Sequence, residues 1–267
     1  MGVIPILLPI SCCSYMYASK AETQKVLLDM SLALLNQTHP IVYHACHCGW
    51  LDIWEWAAWI GANHWRIGQD ISDDFNYGSL WEGYYNDVLT MIDRGDPLQQ
   101  YSGPGHWNDY DMLIVPLNGG SDQLVGTGAS NVEYRTHFSH WAMVASPLLI
   151  CADVRKMDDY SLETQTNKEI IAINQDPLGQ QGKLEVETTD GTLQSYAKNM
   201  SDGILAVALL NRGTTTAMMA MLPPSYKKWN NRRARDLWAH KEVGVLNETY
   251  TVEVMSHEAK VLRLWAA

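Results

Sequence analysis

His64-Trp65-Arg66-Ile67-Gly68-Gln69-Asp70-Ile71-Ser72-Asp73-Asp74 reads as a short strand running into a polar loop. Apolar and aromatic residues come first, and carboxylates gather where the strand ends. A second stretch, Gly105-His106-Trp107-Asn108-Asp109-Tyr110-Asp111-Met112, repeats that arrangement. Aromatic faces stack on sugar rings, while carboxylates bind hydroxyls and move protons. Polar residues collected at strand carboxyl ends are the layout of a (β/α) barrel site.

The flanking sequence supports such a barrel. Strand-like and helix-like segments alternate up to about residue 175. Helices are expected over Ala21 to Asn36, Trp50 to Ile60, Asn76 to Arg94, Glu133 to Ser146 and Ser161 to Asn174. Strands are expected at Ile41 to Tyr43, His64 to Asp70, Met112 to Val115 and Pro147 to Cys151. This alternation implies an α/β fold with a parallel sheet. Only four to five strand–helix units are visible, whereas a closed barrel needs eight. From Lys183 the pattern becomes short alternating strands, such as Leu193 to Ala197 and Ile204 to Leu209. The expected division is a partial barrel over residues 1–180 and an antiparallel β domain over residues 181–267.

Composition narrows the partners. The formal net charge is −11, which excludes a phosphate-binding surface and hence nucleic acid. Eleven Trp and thirteen Tyr stand against two Phe, a choice of rings with a polar edge that suits half-wet clefts as well as cores. The chain has five cysteines, Cys12, Cys13, Cys46, Cys48 and Cys151, so at least one thiol is left over. Sequons at Asn36-Gln37-Thr38, Asn199-Met200-Ser201 and Asn247-Glu248-Thr249 lean toward a secretory route, ending outside the cell or in a lysosome or vacuole. The apolar residues Met1 to Ile10 read either as a signal segment without its positive start or as a buried strand. They are too few to span a membrane.

Three constellations could carry chemistry. Asp70 follows Arg66 by four residues, and a cation and a ring nearby push a carboxyl pKa in opposite directions. The competing reading is a capping aspartate, shared with Asp73 or Asp74. Asp109 and Asp111 would share one face of a strand and bind adjacent hydroxyls; alternatively they belong to a turn. His44-Ala45-Cys46-His47-Cys48 lacks the paired ligand spacing of structural zinc. A disulfide from Cys46 or Cys48 to Cys12 or Cys13 is favoured there. No metal and no organic cofactor are expected.

These residues resemble the melibiase-type α-galactosidase and α-N-acetylgalactosaminidase family of glycoside hydrolases. Trp65-Arg66-x-x-x-Asp70-Ile71 is similar to the segment that holds the family's acid/base, and Trp107-Asn108-Asp109-x-Asp111-Met112-Leu113 to its sugar-binding segment. Trp141-Ala142-Met143-x-Ala145-x-Pro147-Leu148 and Ile171 to Gly179 resemble its closing barrel segments. The resemblance implies the later strands of a (β/α)8 TIM barrel followed by a carboxy-terminal antiparallel β-sandwich. It implies retaining cleavage of terminal α-D-galactosyl residues from oligosaccharides, glycoconjugates or glycolipids. Asp70 would be the acid/base, and Arg66 would contact both sugar and Asp70. Asp111 would hold hydroxyls, Met112 would line the pocket, and Asp109 and Trp50 would add binding contacts.

Two departures bear on function. The family's nucleophile lies in an Asp-x-Cys motif, and here the corresponding stretch is Ile10-Ser11-Cys12-Cys13-Ser14. If Cys13 is the motif cysteine, Ser11 stands at the nucleophile position with no evident base to activate it. The second departure is Cys48-Gly49-Trp50, where the family often has Cys-Glu-Trp or Cys-Ser-Trp. By resemblance this position reads the substituent at sugar carbon two, leaving galactose, N-acetylgalactosamine and a β-L-arabinopyranoside open. The expectation is a carboxy-terminal part of a larger enzyme that hydrolyses little by itself. The alternative is a non-catalytic galactoside-binding relative. A carbohydrate is the expected partner, with a homodimer as an open alternative.

Overall fold

The computed structural model describes residues 6–10, 18–76, 85–119, 126–221, 231–246 and 250–267. Strands β1 (Ile6–Ile10), β2 (Ile41–Ala45), β3 (His64–Arg66) and β6 (Trp107–Asp109) form a parallel sheet in that order. A parallel bridge, Leu113 to Ile150, continues the curve. Helices α1 (Lys20–Leu35), α2 (Val88–Gly95), α3 (Asn131–Met143), α4 (Asp159–Thr166) and α5 (Lys168–Asn174) follow the strands. The arrangement is an arc of a (β/α) barrel. The apolar start of the chain is therefore a strand over residues 6–10.

Strand alternation sorts the barrel residues. Tyr43, Ala45 and Trp65 enter the apolar core, while His44, His64, Arg66 and Asp109 form a buried polar set. Capping sets the helix starts. Ser19 and Ser130 each accept from the backbone of a glutamate three residues on, and that glutamate reaches back. Both are capping boxes.

An antiparallel sheet follows, ordered β12-β11-β14-β9-β8-β7. Its strands are β7 (Lys183–Glu187), β8 (Leu193–Asn199), β9 (Leu205–Asn211), β11 (Arg232–Asp236), β12 (Lys241–Leu246) and β14 (Ala259–Ala266). A two-stranded sheet of β10 (Ala217–Met221) and β13 (Tyr250–Val254) accompanies it. All of β9 is buried, because its two faces serve two cores. Ala206, Ala208 and Leu210 join the barrel-side cluster. Leu205, Val207 and Leu209 join a cluster with Met219 and Val254 of the small sheet. Helix α3 lies between barrel and sandwich, so Thr136 through Met143 are all buried, which erases an amphipathic stripe.

Several expected elements differ. Of the helix expected over Asn76 to Arg94, residues 77–84 lie outside the described residues, and the rest is β5 (Tyr85–Asn86), paired with β4 (Asp70–Ile71), and the short α2. Asp87 caps α2 by accepting from Thr90 N–H, and Asn86 is spent on Gln69 O and Arg94. Trp50 to Ile60 is not an α-helix: Trp50–Glu55 is a 3₁₀ segment in which Leu51 and Asp52 have φ of 58° and 51°. The last helix breaks at Asn167 (ψ 101°), whose side chain caps α5 and donates to Leu237 O. The strands expected at Met112 to Val115 and Pro147 to Cys151 shrink to the single bridge.

The two layers are tied by polar contacts. Tyr196 Oη lies 2.9 Å from Asp96 Oδ2 and 3.0 Å from Gln194 Oε1, one hydroxyl between two acceptors. Arg212 makes a forked pair with Asp93 at 2.6 and 2.7 Å. Burial pushes the Asp96 carboxyl up to about 7, against the lowering effect of Tyr196. A carboxyl raised in the folded state stabilises the fold below its unfolded pKa, and that stability is lost as pH rises through 7. Asp96→Asn is therefore expected to flatten the stability profile between pH 4 and 7. Between pH 4 and pH 7 the parent is expected to lose about 1–2 kcal/mol more stability than the variant, once partial exposure is allowed for. Urea melts of both proteins at either end of the window measure the difference, and parallel profiles would rule the effect out.

Candidate active site

The site grows from the end of β3. Trp65 faces outward into the core and donates from Nε1 to Asn108 Oδ1 at 2.9 Å. Its neighbour Arg66 points the opposite way and is 6% exposed. Arg66 Nη2 lies 2.7 Å from Asp111 Oδ2 and 3.1 Å from Asp70 Oδ1. It also donates to Gly68 O at 3.3 Å. One guanidinium thus holds a buried and an exposed carboxylate, since the Asp70 side chain is 57% exposed and that of Asp111 is 4%.

Asp111 is fixed from several sides. Its Oδ2 accepts from Ile71 N–H and its Oδ1 from Met112 N–H, both at 2.7 Å. Its own carbonyl accepts from Trp141 Nε1 at 2.7 Å. Its φ is 78°, in the left-handed region, which aspartate tolerates better than most residues. Strand β6 ends at Asp109, so the expected sharing of one strand face does not occur. Asp109 instead turns into the barrel interior, where Oδ2 accepts from His64 Nδ1 at 3.0 Å and Oδ1 from Asp111 N–H at 2.8 Å.

Charge follows this geometry. Burial opposes the Arg66 charge, but Asp111, Asp109 and Asp70 outweigh it and hold the guanidinium protonated. Burial lifts the Asp111 carboxyl to about 6, and Arg66 and two backbone N–H groups limit the rise. Burial also works on Asp109, yet His64, His44 and Arg66 bring it down to about 2. His44 is pushed down to about 4 by burial and is neutral at pH 7.

Arg66, Asp70, Asp111, Met112, Ile114 and Cys151 line a cavity of about 90 Å³. Larger concavities of about 700 and 620 Å³ lie elsewhere, the first at the amino ends of β2, β3 and β6 and the second on the antiparallel sheet around Arg235 and Arg263, so neither is at the carboxyl ends of the barrel strands. The small cavity brings together four of the expected site residues. Met112 is 38% exposed at its rim. Gly49, Trp50 and Asp109 are not on its wall. Gly49 has φ of 76° and donates its N–H to Arg66 O at 3.0 Å, so it braces the strand carrying the arginine. Cys46 is disulfide-bonded. Ser11 and Cys13 lie outside the described residues. Cys151, with a raised thiol pKa from burial and from Asp111, was not foreseen as a cavity residue; its place at the end of an apolar run was the available signal.

Residues 7–176 match the family described as alpha galactosidase A, and residues 190–264 match the alpha galactosidase C-terminal beta sandwich domain. The chain is 38% identical to an alpha-galactosidase of Cyamopsis tetragonoloba, over 87% of this chain and 52% of that protein. It is 38% identical to alpha-galactosidase 2 of Arabidopsis thaliana, over 88% of this chain and 54% of that protein. Among solved structures, alpha-galactosidase I from Mortierella vinacea superposes with a TM-score of 0.87 at 27% identity, covering 98% of this chain and 68% of that one. The chain spans about half the length of the curated relatives it matches.

Proposed function

Because the chain belongs to the alpha galactosidase A family of glycoside hydrolases, we propose that it carries the acid/base side of a retaining site for terminal α-D-galactosides. The observation behind this reading is the Arg66 bridge from exposed Asp70 to buried Asp111 at the wall of one cavity. Asp70 protonates the leaving oxygen, then takes a proton from the water that attacks in the second step. Arg66 orients Asp70 and contacts the sugar. Asp111, anchored by two backbone N–H groups, presents a rigid acceptor to sugar hydroxyls. Retention needs a second carboxylate about 5 Å from the first, and with Cys13 taken as the cysteine of the family's Asp-x-Cys motif, Ser11 stands in the sequence where that carboxylate is expected. The Cys46 disulfide and the exposed sequon residue Asn36 support a secretory route.

Ser11 favours a second reading, galactoside binding without cleavage. The two separate in one set of assays on an activated aryl α-galactoside. Ser11→Asp is expected to raise turnover by about 10²-fold or more, with net retention at the anomeric carbon. Adding Asp70→Asn should then cut kcat by about 10²–10⁴-fold while galactose still binds, as monitored by NMR. Galactose binding with no gain from Ser11→Asp leaves only the binding reading. Failure to bind galactose sinks both. The same assay on aryl α-N-acetylgalactosaminides and β-L-arabinopyranosides ranks the related sugars.

A further inference from the structure

We propose that the groove on the antiparallel sheet around Arg235 and Arg263 binds a neutral saccharide, with Trp265 as its stacking platform. The groove has a volume of about 620 Å³ and shares no residue with the Arg66 cavity. Small-molecule sites usually measure about 300–1,000 Å³. Strand register builds the groove. On β14, Ala259 and Val261 face the barrel-side core, and alternation puts Arg263 and Trp265 on that same face, where both are half-buried. Arg263 is paired with Arg235 of β11, and Trp265 with Arg233. On the other flank β9 begins at Leu205, opposite Leu264, so Trp265 has no partner on β9. The turn Asp202-Gly203-Ile204 lines the groove there. Gly203 has φ of 79°, and nothing lies within 4 Å of a Cβ built on it, so this turn leaves its flank of the groove open.

The polar groups of the groove are fixed in advance. Arg235 makes a forked pair with Glu169 of α5 at 2.6 and 2.9 Å, and His240 Nδ1 lies 2.6 Å from the same carboxylate. Arg263 Nη2 donates to Asp202 Oδ2 at 2.5 Å, while Asp202 Oδ1 accepts from Ile204 N–H at 3.1 Å. Both pairs are partly exposed, so further donors and lone pairs remain for a ligand. Two guanidiniums against two carboxylates leave the lining without net charge. The chain's net charge of −11 adds to the case against an anionic ligand. An indole beside paired donors and acceptors suits a pyranose, which offers an apolar face and a rim of hydroxyls. The inference does not rest on the reading of the Arg66 cavity, because the two sites have separate walls.

The test is a lactose titration of the full chain, read by NMR from the indole N–H signals of its eleven tryptophans. Lactose is a neutral disaccharide whose β-linked galactose the proposed hydrolysis leaves intact. Trp265→Phe identifies the Trp265 signal; should that variant not fold, sequential assignment through residues 264 to 266 identifies it in wild type. The Trp265 signal is expected to shift saturably with lactose, and not with glycerol at equal concentration, which has hydroxyls but no ring face. Sugar held only in the Arg66 cavity would move other indoles and leave Trp265 still, which overturns the proposal. Asp202→Asn keeps the indole and should weaken lactose binding about 10-fold or more, by removing a charged acceptor. No saturable shift at Trp265, an equal shift with glycerol, or an unchanged affinity in a folded Asp202→Asn protein each overturns the site. If Asp202→Asn does not fold, the wild-type titration decides by itself.

Discussion

Arg66→Ala is expected to destabilise the fold by about 3–5 kcal/mol, because it strands buried carboxylates without their cation. Asp111 and Asp109 are both almost wholly buried. Asp111 keeps two backbone donors but loses the guanidinium at 2.7 Å. Arg66→Lys restores the charge without the guanidinium Nη2 that reaches both Asp111 and Asp70, and is expected to recover part of the loss. The variant also changes the pH response. Burial already raises Asp111 to about 6, and Arg66 is the largest effect holding it down. Without Arg66 the carboxyl rises further. A raised folded pKa means that stability is present when the group is protonated and is lost as pH climbs through that pKa. The parent gains stability as pH falls through about 6, and Arg66→Ala should therefore begin to regain stability at a pH above 6, higher than the parent. Denaturant midpoints at pH 5 and pH 8 measure both effects. A loss below about 1 kcal/mol at pH 8 would mean that water reaches the stranded carboxylates.

Gly49→Ala is expected to cost about 3 kcal/mol or more, and to weaken galactose binding with it. A Cβ on Gly49 would sit 2.3 Å from Ile67 O and 2.8 Å from Ile67 C. Those are backbone atoms and cannot swing aside, so the cost is overpacking added to the strain of a positive φ. Gly191 supplies the control: its φ is 71° but nothing lies within 4 Å of an added Cβ. Gly191→Ala should cost only the conformational strain, about 1–2 kcal/mol. Thermal unfolding of the pair separates the close approach from φ alone, and equal losses would refute the clash. A side chain at position 49 would thus displace the end of β3, which carries Arg66, before it could reach a sugar.

Much of the site was legible in sequence because its parts are local. Arg66 and Asp70 are four residues apart, and the Trp107 to Met112 run carries Asp111 and Met112 together. The switch from strand–helix alternation to short alternating strands was also readable, because burial periodicity reports which faces an element covers. Helix boundaries were less so. Asp87 and Asn167 stop or restart helices through side-chain bonds to backbone groups, and apolar spacing does not register such bonds.

The sequence by itself determined the barrel-plus-sheet class and the grouping of Arg66, Asp70 and Asp111, because strand order and motif spacing are properties of the chain. Only the tertiary structure decided that Asp111 turns left-handed out of its strand while Asp109 turns inward to His44 and His64. Those three residues lie 20 and 45 positions apart, and only the register of β2, β3 and β6 brings them to one point. Parallel pairing joins strands that long connections separate, so sequence spacing carries no trace of that convergence.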